Sequence, residues 1–456
     1  MRAIGLDIGT TTICAVVVDG STGAIIDTKT EKNDSFITGK WSWEKLQEPS
    51  VIYGKVTEVL EELIREHSPL GCVGVTGQMH GIVYIDGYGN AVSPLYSWQD
   101  GRGDAPCEDG RSYAELLSCN TKYKLATGYG AVTHFYNLRN GLVPQSARFM
   151  CTIHDYVAMK LSQGTVPYVN PSDAASLGLY RHESNTFDNY AIGSMGMDEA
   201  LFPPVLQGAK LLGMTGTDVP VAAAIGDNQA SFLGSVKNRD ESILVNVGTG
   251  SQISIYTDHY IHCPCGETRP FPDNGYLLVG APLCGGSAYA LLENFFKSVV
   301  LMATGKVSNN LYDLMDKSAE ELLNAKNKLE VSTSFRGTRE NPSLRGSIGN
   351  IGIDNFTPRH VVLGTLEGIA GELYDIYNGF ISVLGKKPDV FVGSGNGIRK
   401  NVLLQKIFAK MFGMPLCIPV YKEEAAYGAA LFAMTAAGYF KDTCEAQSII
   451  RYQGEE

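Results

Sequence analysis

The sequence lacks the two glycine-rich fingerprints that most readily identify nucleotide-binding chains. No G-x-G-x-x-G segment occurs in it. Its four Gly-Lys pairs, at 39–40, 54–55, 305–306 and 385–386, are not followed by the Ser or Thr that a phosphate-binding P-loop requires. A nucleotide would therefore have to be bound by another kind of fold.

Long apolar runs and metal-type cysteine spacings are also lacking. The best membrane candidate, 425–440, is shorter than the roughly 18 apolar residues of a spanning helix and is interrupted by glycine. Asp7 stands where a secretion signal needs an apolar run. The one close cysteine pair, Cys263 and Cys265, fits no zinc framework. We expect a reduced, cytoplasmic protein without a membrane segment.

The sequence has fewer basic than acidic residues. The chain has 37 Lys and Arg against 48 Asp and Glu, for a net charge of −11. This balance argues against nucleic acids or anionic membranes as partners, because both are polyanions. It does not exclude a small anion such as ATP, since a local site and a bound Mg²⁺ can overcome the global sign.

The most informative feature that is present is an internal sequence repeat. Residues 4–19 (IGLDIGTTTICAVVVD) resemble residues 243–258 (ILVNVGTGSQISIYTD) without a gap, so that Asp7 falls on Asn246 and Asp19 on Asp258. Each copy reads as two β-rich runs around a Gly-Thr turn, which predicts a hairpin. Two such hairpins, one near the start of each half, indicate two related domains, 1–220 and 221–456.

Strand and helix patterns alternate in both halves, which predicts an α/β fold. The helical patterns cover 51–66, 401–412 and 423–437, and the short apolar strands cover 72–75 and 82–85.

The first hairpin tip is a candidate phosphate and metal site. A carboxylate such as Asp7 at a strand end can hold Mg²⁺ through water. The Gly-Thr turns at 9–12 and 248–251 offer N–H and hydroxyl donors to phosphate oxygens, and the two together could clamp one polyphosphate. The alternative is a pair of Thr-rich turns, the first beside a surface acid.

Two glycine-flanked segments in the second half are further candidates. Residues 393–397 (GSGNG) follow an apolar run and could cradle a nucleotide or merely open a helix. Asp227 lies among small residues at a helix start, where it could act as the general base for a substrate hydroxyl or only as an N-cap.

Polar residues beside glycines at 77–81 (GQMHG) and 98–102 (WQDGR) suit a polyhydroxylated ligand. Sugars need convergent donors and acceptors together with an apolar face on which to stack. His80 alone would be weak evidence, because a single histidine is more often a hydrogen-bonded core residue.

With these segments in place, the whole chain resembles the FGGY family of carbohydrate kinases. The resemblance rests on an ordered set of short motifs: 7–11 (DIGTT), 77–81 (GQMHG), 98–102 (WQDGR), 226–228 (GDN), 248–250 (GTG), 345–346 (RG), 366–368 (LEG) and 393–395 (GSG). It implies two duplicated domains of the actin, hexokinase and ribonuclease H type with an interdomain cleft, and a final helix that packs back on the N-terminal domain. The chain departs from the family at 133–138 (THFYNL), where a Pro-Lys pair and a Trp are usual.

The resemblance also implies roles for individual residues. Asp227 would be the base, and Asp7 would organise Mg²⁺. The sugar-binding residues would be Gln78, Met79, His80, Trp98, Asp100 and Asn228, and the ATP-binding residues would be Thr10, Thr11, Thr12, Gly248, Thr249, Gly393, Ser394, Gly395, Asn396 and Asn401. Family members are often dimers, so a homodimer is expected.

The implied reaction is ATP-dependent phosphorylation of the terminal hydroxyl of a ketose. The segments 98–102, 128–133, 152–156 and 173–176 resemble the sedoheptulokinase branch. A xylulokinase, or another pentulose or polyol kinase, stays open, as does a non-catalytic actin-like nucleotide switch or sugar sensor.

Overall fold

The computed structural model describes residues 1–338, 341 and 343–455, and the chain divides into two compact units. Unit 1 comprises Met1–Lys237, Arg269–Tyr276 and Glu423–Ile450, and unit 2 comprises Asn238–Thr268, Leu277–Lys422 and Arg451–Glu456. The boundary that the sequence suggested, after residue 220, lies inside unit 1. Long-range contacts therefore return the C-terminal helices to the N-terminal part of the chain.

The strands are short and follow one another in this order: β1 (Arg2–Ile8), β2 (Thr12–Asp19), β3 (Ile25–Lys32), β4 (Phe36–Ile37), β5 (Leu46–Gln47), β6 (Cys72–Gly77), β7 (Val83–Ile85), β8 (Leu95–Tyr96), β9 (Phe149–Cys151), β10 (Tyr180–Arg181), β11 (Thr186–Phe187), β12 (Leu211–Met214), β13 (Pro220–Ala222), β14 (Ile225–Gly226), β15 (Ser242–Val247), β16 (Ser251–Thr257), β17 (Glu267–Phe271), β18 (Gly275–Gly280), β19 (Glu330–Ser332), β20 (Ser347–Gly349), β21 (Val390–Ser394) and β22 (Leu416–Cys417).

The helices lie between them: α1 (Pro49–His67), α2 (Tyr113–Thr121), α3 (Gly130–Arg139), α4 (Ile153–Leu161), α5 (Pro171–Leu177), α6 (Asn189–Ser194), α7 (Asp227–Ser235), α8 (Gly286–Thr304), α9 (Tyr312–Glu320), α10 (Pro358–Leu384), α11 (Asn396–Lys400), α12 (Val402–Phe412), α13 (Glu424–Ala436) and α14 (Thr443–Gln447). Two short 3-10 helices cover Gly101–Asp104 and Glu199–Leu201.

Unit 1 is built on a mixed sheet in the order β12-β13-β6-β1-β2-β3, with β14 also paired to β6. β1 and β2 form an antiparallel hairpin, whereas β1 and β14 both run parallel to β6. The carboxyl ends of β1, β6 and β14 therefore lie at the same edge of the sheet.

Helix α1 shows how local sequence sets one layer of unit 1. The Glu48 side chain accepts a hydrogen bond from the Ser50 N–H, and Pro49 occupies the first turn, where its missing N–H costs nothing. Its apolar positions recur at helical spacing and are buried against the sheet: Ile52, Val56, Val59, Leu60, Leu63 and Ile64. This confirms the helix predicted over 51–66.

Helix α13 lies directly against β1, β6 and α7, and glycines make this approach possible. A Cβ atom on Gly5 of β1 would lie 1.8 Å from a carbonyl oxygen of α13, and one on Gly74 of β6 would lie 1.9 Å from another. Gly234 of α7 and Gly428 of α13 are in similar backbone contact across the two helices. Small residues therefore bring backbone against backbone in the centre of unit 1.

Unit 2 holds a second sheet in the order β17-β18-β16-β15-β21-β22. β15 and β16 form an antiparallel hairpin, and β21 runs parallel to β15 with Asn246 opposite Ser394. Apolar residues of α10 and α12, such as Leu366, Leu373 and Phe408, pack against this sheet in one hydrophobic core.

The two hairpins predicted from the internal repeat are confirmed. The ungapped alignment of residues 4–19 with 243–258 is, however, wrong beyond the turn. Asp7 pairs with Cys14 in the first hairpin, whereas Asn246 pairs with Gln252 in the second. The second turn is shorter, so the second strand is displaced by one residue. Asp19 and Asp258 are therefore not structural equivalents, because a one-residue displacement exchanges the two faces of a strand.

The other predicted elements appear at or near their expected bounds, as α12, α13, β6 and β7. Asn401 caps α12 rather than belonging to it. Across the described residues, no helix combines the length and apolar character needed to span a membrane. All ten cysteines are free thiols.

We expect Gly428→Ala to destabilise the protein by about 3 kcal/mol, because the new methyl group would lie 1.9 Å from the Ala230 carbonyl oxygen and force α7 and α13 apart. The matched control is Gly54→Ala in α1, where nothing lies within 4 Å of the added Cβ. That change should stabilise by about 0.5–1 kcal/mol, since alanine is the better helix former. Urea denaturation measures both, and equal effects would contradict the packing described here.

Candidate active site

Three parallel strands of unit 1 bring the predicted catalytic residues to one edge. Asp7 lies in β1 opposite Thr76, and Ile8 lies opposite Gly77 at the end of β6. Gly226, which ends β14, also lies opposite Gly77, and Asp227 follows it directly as the first residue of α7. Ligands of open parallel sheets bind at the carboxyl ends of strands, so this edge is the candidate site of unit 1.

Asp7 is surrounded by other acids. Burial, the Asp227 carboxylate and the Glu423 carboxylate together raise the pKa of Asp7 from 3.8 to about 7. Such a concentration of negative charge fits a divalent cation with oxygen ligands, and Asp7 is the group that would hold it. The observation agrees with the chemistry predicted for Asp7.

The surroundings of Asp227 shift its pKa in opposite directions. Burial raises its pKa, while His154, Arg269 and a hydrogen bond from the backbone of Asn228 lower it. Gly226 is the N-cap residue of α7, and no side chain caps the helix. The alternative that Asp227 is only the N-cap of α7 is therefore wrong, because its carboxylate does not cap the helix.

A hydrogen-bonded chain connects the first hairpin to the predicted sugar residues. The indole Nε1–H of Trp98 donates to Thr10 Oγ1 at 3.0 Å, and Thr10 Oγ1 lies 3.4 Å from Gln78 Oε1. Gln47, which the sequence analysis missed, accepts from Gln78 Nε2 at 2.8 Å and donates to the Thr10 carbonyl at 3.1 Å. Trp98 is about half exposed, so part of this residue is accessible to a ligand.

Met79 and His80 follow Gln78 in a strained turn. His80 has a φ of 71°, and its Nδ1 lies 2.8 Å from the Ser176 carbonyl. The centroid of its ring lies 4.6 Å from that of Tyr129, with the two rings tilted by 41°. Met79 is buried beneath Gly226, whose added Cβ would lie 2.6 Å from the Met79 Cε. A left-handed φ in a residue other than glycine needs support from its surroundings, and these contacts provide it.

Asn228 is well placed for a hydroxylated ligand. Its Oδ1 accepts from Arg269 Nη1 at 3.3 Å, whereas its buried Nδ2 has no hydrogen-bond partner in the part of the chain that the structure describes. A buried amide donor without a partner is costly unless a ligand satisfies it.

Asp100 is buried inside the protein, whereas its neighbours at 98–99 are exposed. It is fully buried, its carboxylate accepts from Arg102 Nε at 2.6 Å and Nη2 at 3.2 Å, and it also accepts from the Lys45 N–H at 3.0 Å. In this structure it fixes the loop that carries Trp98, and direct contact with a sugar stays a prediction.

Thr11 and Thr12 complete the first turn and are exposed. In unit 2, Gly248 and Thr249 form the corresponding turn, and Gly393, Ser394, Gly395 and Asn396 follow β21 beside it. Ser394 Oγ accepts from Asn246 Nδ2 at 2.9 Å, and Gly395 has a φ of 80° with no room for a Cβ against the Val247 carbonyl. The structure thus brings these two predicted ATP-binding segments together.

A second glycine segment, missed by the sequence analysis, supports the turn of unit 2. The N–H groups of Gly286 and Ser287, at the start of α8, donate to the carbonyls of Gly248 at 2.9 Å and Thr249 at 3.0 Å. Ser287 Oγ is buried without a partner among the described residues. The Gly-Gly-Ser run at 285–287, which follows β18, was the sequence signal that could have identified this segment.

The side chain of Asn401 is occupied by protein contacts. Its Oδ1 accepts from the Leu404 N–H at 2.7 Å, and its Nδ2 donates to Asp316 at 2.9 Å, which also accepts from Tyr289. Its predicted contact with adenosine stays a prediction, with helix capping as its observed role.

Two family models match the chain. The model of the N-terminal domain of FGGY carbohydrate kinases matches residues 2–234, and that of the C-terminal domain matches residues 243–437. The chain belongs to the FGGY family of carbohydrate kinases. This FGGY kinase is therefore a phosphotransferase, as the sequence predicted.

Similar proteins agree with the family. The kinase is 26% identical to sedoheptulokinase of Mus musculus over 471 residues, covering 94% of this chain and 96% of that protein. It is 24% identical to glycerol kinase of Aquifex aeolicus (strain VF5), covering 96% and 90%. Xylulose kinase from Rhodospirillum rubrum superposes with a TM-score of 0.85 at 20% identity, covering 100% and 93%. The last similarity confirms the predicted α/β fold with two sheet-containing domains.

We expect Asp7→Asn to stabilise the metal-free FGGY kinase by about 2–3 kcal/mol more at pH 8 than at pH 5. The folded protein keeps the Asp7 proton up to about pH 7, whereas the unfolded chain loses it near pH 4. Wild-type stability therefore falls as pH rises between these values, and the neutral amide removes that loss.

Urea unfolding in EDTA at both pH values measures this difference. The control is Asp19→Asn, because hydrogen bonds from Ser21 lower the pKa of Asp19 and its charge stabilises the fold above pH 4. That variant should not gain stability at pH 8. If the gain in stability of Asp7→Asn over wild type is no larger at pH 8 than at pH 5, Asp7 ionises normally.

Proposed function

We propose that this FGGY kinase transfers the γ-phosphoryl group of ATP to the terminal hydroxyl of a ketose, with sedoheptulose as substrate and sedoheptulose 7-phosphate as product. The observation that supports it is the common edge of β1, β6 and β14. This edge carries a cation-binding acid at 7, sugar-type polar groups at 78–80 and a second acid at 227. The curated sedoheptulokinase relative supports the choice of ketose.

In this proposal the sugar binds to unit 1, within the predicted domain 1–220 and the Asp227 loop. The half-exposed Trp98 ring offers an apolar face for the carbon skeleton, as sugar sites require. Gln78, His80 and the unpartnered Nδ2 of Asn228 supply hydrogen bonds to hydroxyls, while Met79 shapes the wall. Asp100 acts through the loop that it anchors.

ATP is bound mainly by the predicted domain 221–456. The turn at 248–249 and the buried Ser287 hydroxyl donate to phosphate oxygens, and the glycine segment 393–396 accommodates the adenosine. Thr11 and Thr12 offer further phosphate donors, whereas the hydroxyl of Thr10 is directed at Gln78 and orders the turn. Asp7 is the residue that would hold Mg²⁺ through water, and the ion would supply positive charge to the phosphate groups when bound.

Asp227 acts on the sugar. It accepts the proton of the terminal hydroxyl as the oxygen forms a bond to the γ-phosphorus and the bond to ADP breaks. Its elevated pKa suits a general base, because an acid that ionises closer to neutral pH takes up a proton more readily. Positioning and charge stabilisation carry most of the catalysis in phosphoryl transfer.

The second candidate is a xylulokinase or another pentulose or polyol kinase, since the segment 77–81 (GQMHG) suits xylulose as well. Cytoplasmic location and a homodimer also stay predictions.

We expect sedoheptulose to give the highest kcat/KM in a panel with xylulose, ribulose, glycerol and gluconate, measured by ADP release with Mg·ATP. The difference should reach at least about tenfold, because mismatched polar groups in a sugar site leave hydrogen bonds unmade. A preference for xylulose would select the second candidate. ADP release that does not depend on any sugar would favour the actin-like nucleotide switch instead.

We expect Asp227→Asn to lower kcat with the preferred ketose by at least about a hundredfold, the usual contribution of a general base. Nucleotide binding, followed by calorimetry, should change little. The control is Asp218→Asn, an exposed position with a φ of 60° that asparagine tolerates. Turnover within about threefold of wild type in the Asp227 variant would exclude it as the base.

A further inference from the structure

A short segment from the second half of the chain lies against the first turn of α7. Residues Arg269–Tyr276 belong to unit 1, and Asp273 Oδ2 anchors them to α14 by accepting a hydrogen bond from the Thr443 N–H at 2.9 Å. Helix α7 begins directly after Gly226 and has no side-chain cap. The contacts made by this segment therefore help to fix a turn that lacks a cap of its own.

Two consecutive residues of β17 contact two consecutive residues of α7. The Arg269 Nη1 group donates to Asn228 Oδ1 at 3.3 Å. The Pro270 carbonyl accepts from Gln229 Nε2 at 2.9 Å. The second contact holds the helix, whereas the first acts on a side chain that is proposed to bind the sugar.

The contact with Arg269 fixes the direction in which the Asn228 amide points. A guanidinium carries only hydrogen-bond donors, whereas a side-chain amide has one accepting oxygen and one donating NH₂ group. Only the amide oxygen can accept from Arg269, and the opposite orientation would bring donors against donors. The Nδ2 group is thereby directed away from Arg269, and it is buried without a hydrogen-bond partner among the residues that the structure describes.

This orientation sets the chemistry that Asn228 offers to a ligand. The Nδ2 group has two N–H donors and no acceptor, so the ligand atom that it contacts must carry a lone pair. A hydroxyl or carbonyl oxygen of a sugar meets this condition, and a protonated amino group does not. Because a buried donor without an acceptor is costly, a ligand that lacks an oxygen at this point is disfavoured.

We propose that Arg269 is a positioning residue for substrate specificity, which fixes Asn228 as a hydrogen-bond donor to one oxygen of the sugar. The proposal rests on the function proposed above and adds a residue outside the family motifs. Arg269 acts through Asn228 and needs no contact of its own with the sugar. Its effect on ketose binding should therefore disappear when the Asn228 side chain is absent.

Substitutions at Arg269 test this role first. Arg269→Met keeps an unbranched side chain but has no donor. We expect it to raise the KM for the preferred ketose about tenfold, with kcat within about threefold of wild type, because a misdirected amide weakens ground-state and transition-state binding alike. Arg269→Lys keeps a donor and the positive charge, so its KM should rise by no more than about threefold.

The double variant Arg269→Met/Asn228→Ala is the decisive arm. Without the amide there is nothing to orient, so its KM for the ketose should match that of Asn228→Ala within about twofold. If Arg269 acted by its charge on Asp227, or by touching the sugar itself, Arg269→Met would cause the same loss in the Asn228→Ala background. That result would overturn the proposal.

Gln229→Met is the matched control, because it removes the neighbouring contact with the Pro270 carbonyl and leaves Asn228 unchanged. It should lower the urea concentration at the midpoint of unfolding, while the KM for the ketose stays within about twofold of wild type. A rise in KM as large as that of Arg269→Met would show that β17 only holds α7 in place, and Arg269 would have no specific role.

Urea unfolding tests the contact without any substrate. Arg269→Met should lower the midpoint of the wild-type protein, because Asn228 Oδ1 loses its partner, and should lower that of Asn228→Ala by less than half as much. Equal losses in the two backgrounds would show that the side chains do not interact, which also overturns the proposal.

The two readouts separate this proposal from the proposed function. A wild-type protein that phosphorylates no sugar would refute the proposed function, and the urea cycle would still decide whether Arg269 and Asn228 are coupled. Normal sugar phosphorylation with an unchanged ketose KM in Arg269→Met would refute only the role of Arg269.

Discussion

The parallel pairing of β1 and β14 with β6 is the constraint on which the candidate site depends. It puts Ile8 and Gly226 opposite the same residue, Gly77, so two acids distant in sequence emerge beside the loop of Gln78. Helix α13 maintains this pairing, because its backbone rests on glycines of β1 and β6 with no side chain between them. The candidate site thus depends on residues that contain no reactive groups.

The acids at this edge lower the stability of the fold. Burial and neighbouring acids hold Asp7 partly protonated near neutral pH, and burial also disfavours the charge of Asp227. A fold selected only for stability would replace such acids, since an uncompensated carboxylate opposes folding. A divalent cation bound at this edge would reverse this balance by supplying the positive charge that the acids lack.

The sequence predicted the local elements well and the long-range arrangement less well. Gly-Thr turns between β-rich runs were sufficient for both hairpins, and helical spacing was sufficient for α1. Periodicity carries no information about partners far along the chain, so Gln47 and Arg269 were not identified, although each contacts a predicted sugar residue. The single-residue displacement between the second strands of the two hairpins was not predicted, because the two sequence segments resemble each other without a gap.

Thr10 shows how the candidate sugar and phosphate groups of unit 1 are coupled. Its hydroxyl accepts from Trp98 and lies within hydrogen-bonding distance of Gln78, so its donor is directed at a sugar residue rather than at solvent. A hydroxyl has one proton to donate, which leaves the exposed Thr11 and Thr12 as the better phosphate donors of this turn. Thr10 then orders the turn against the sugar residues, and a ligand that fixes Trp98 also fixes the loop that follows Asp7.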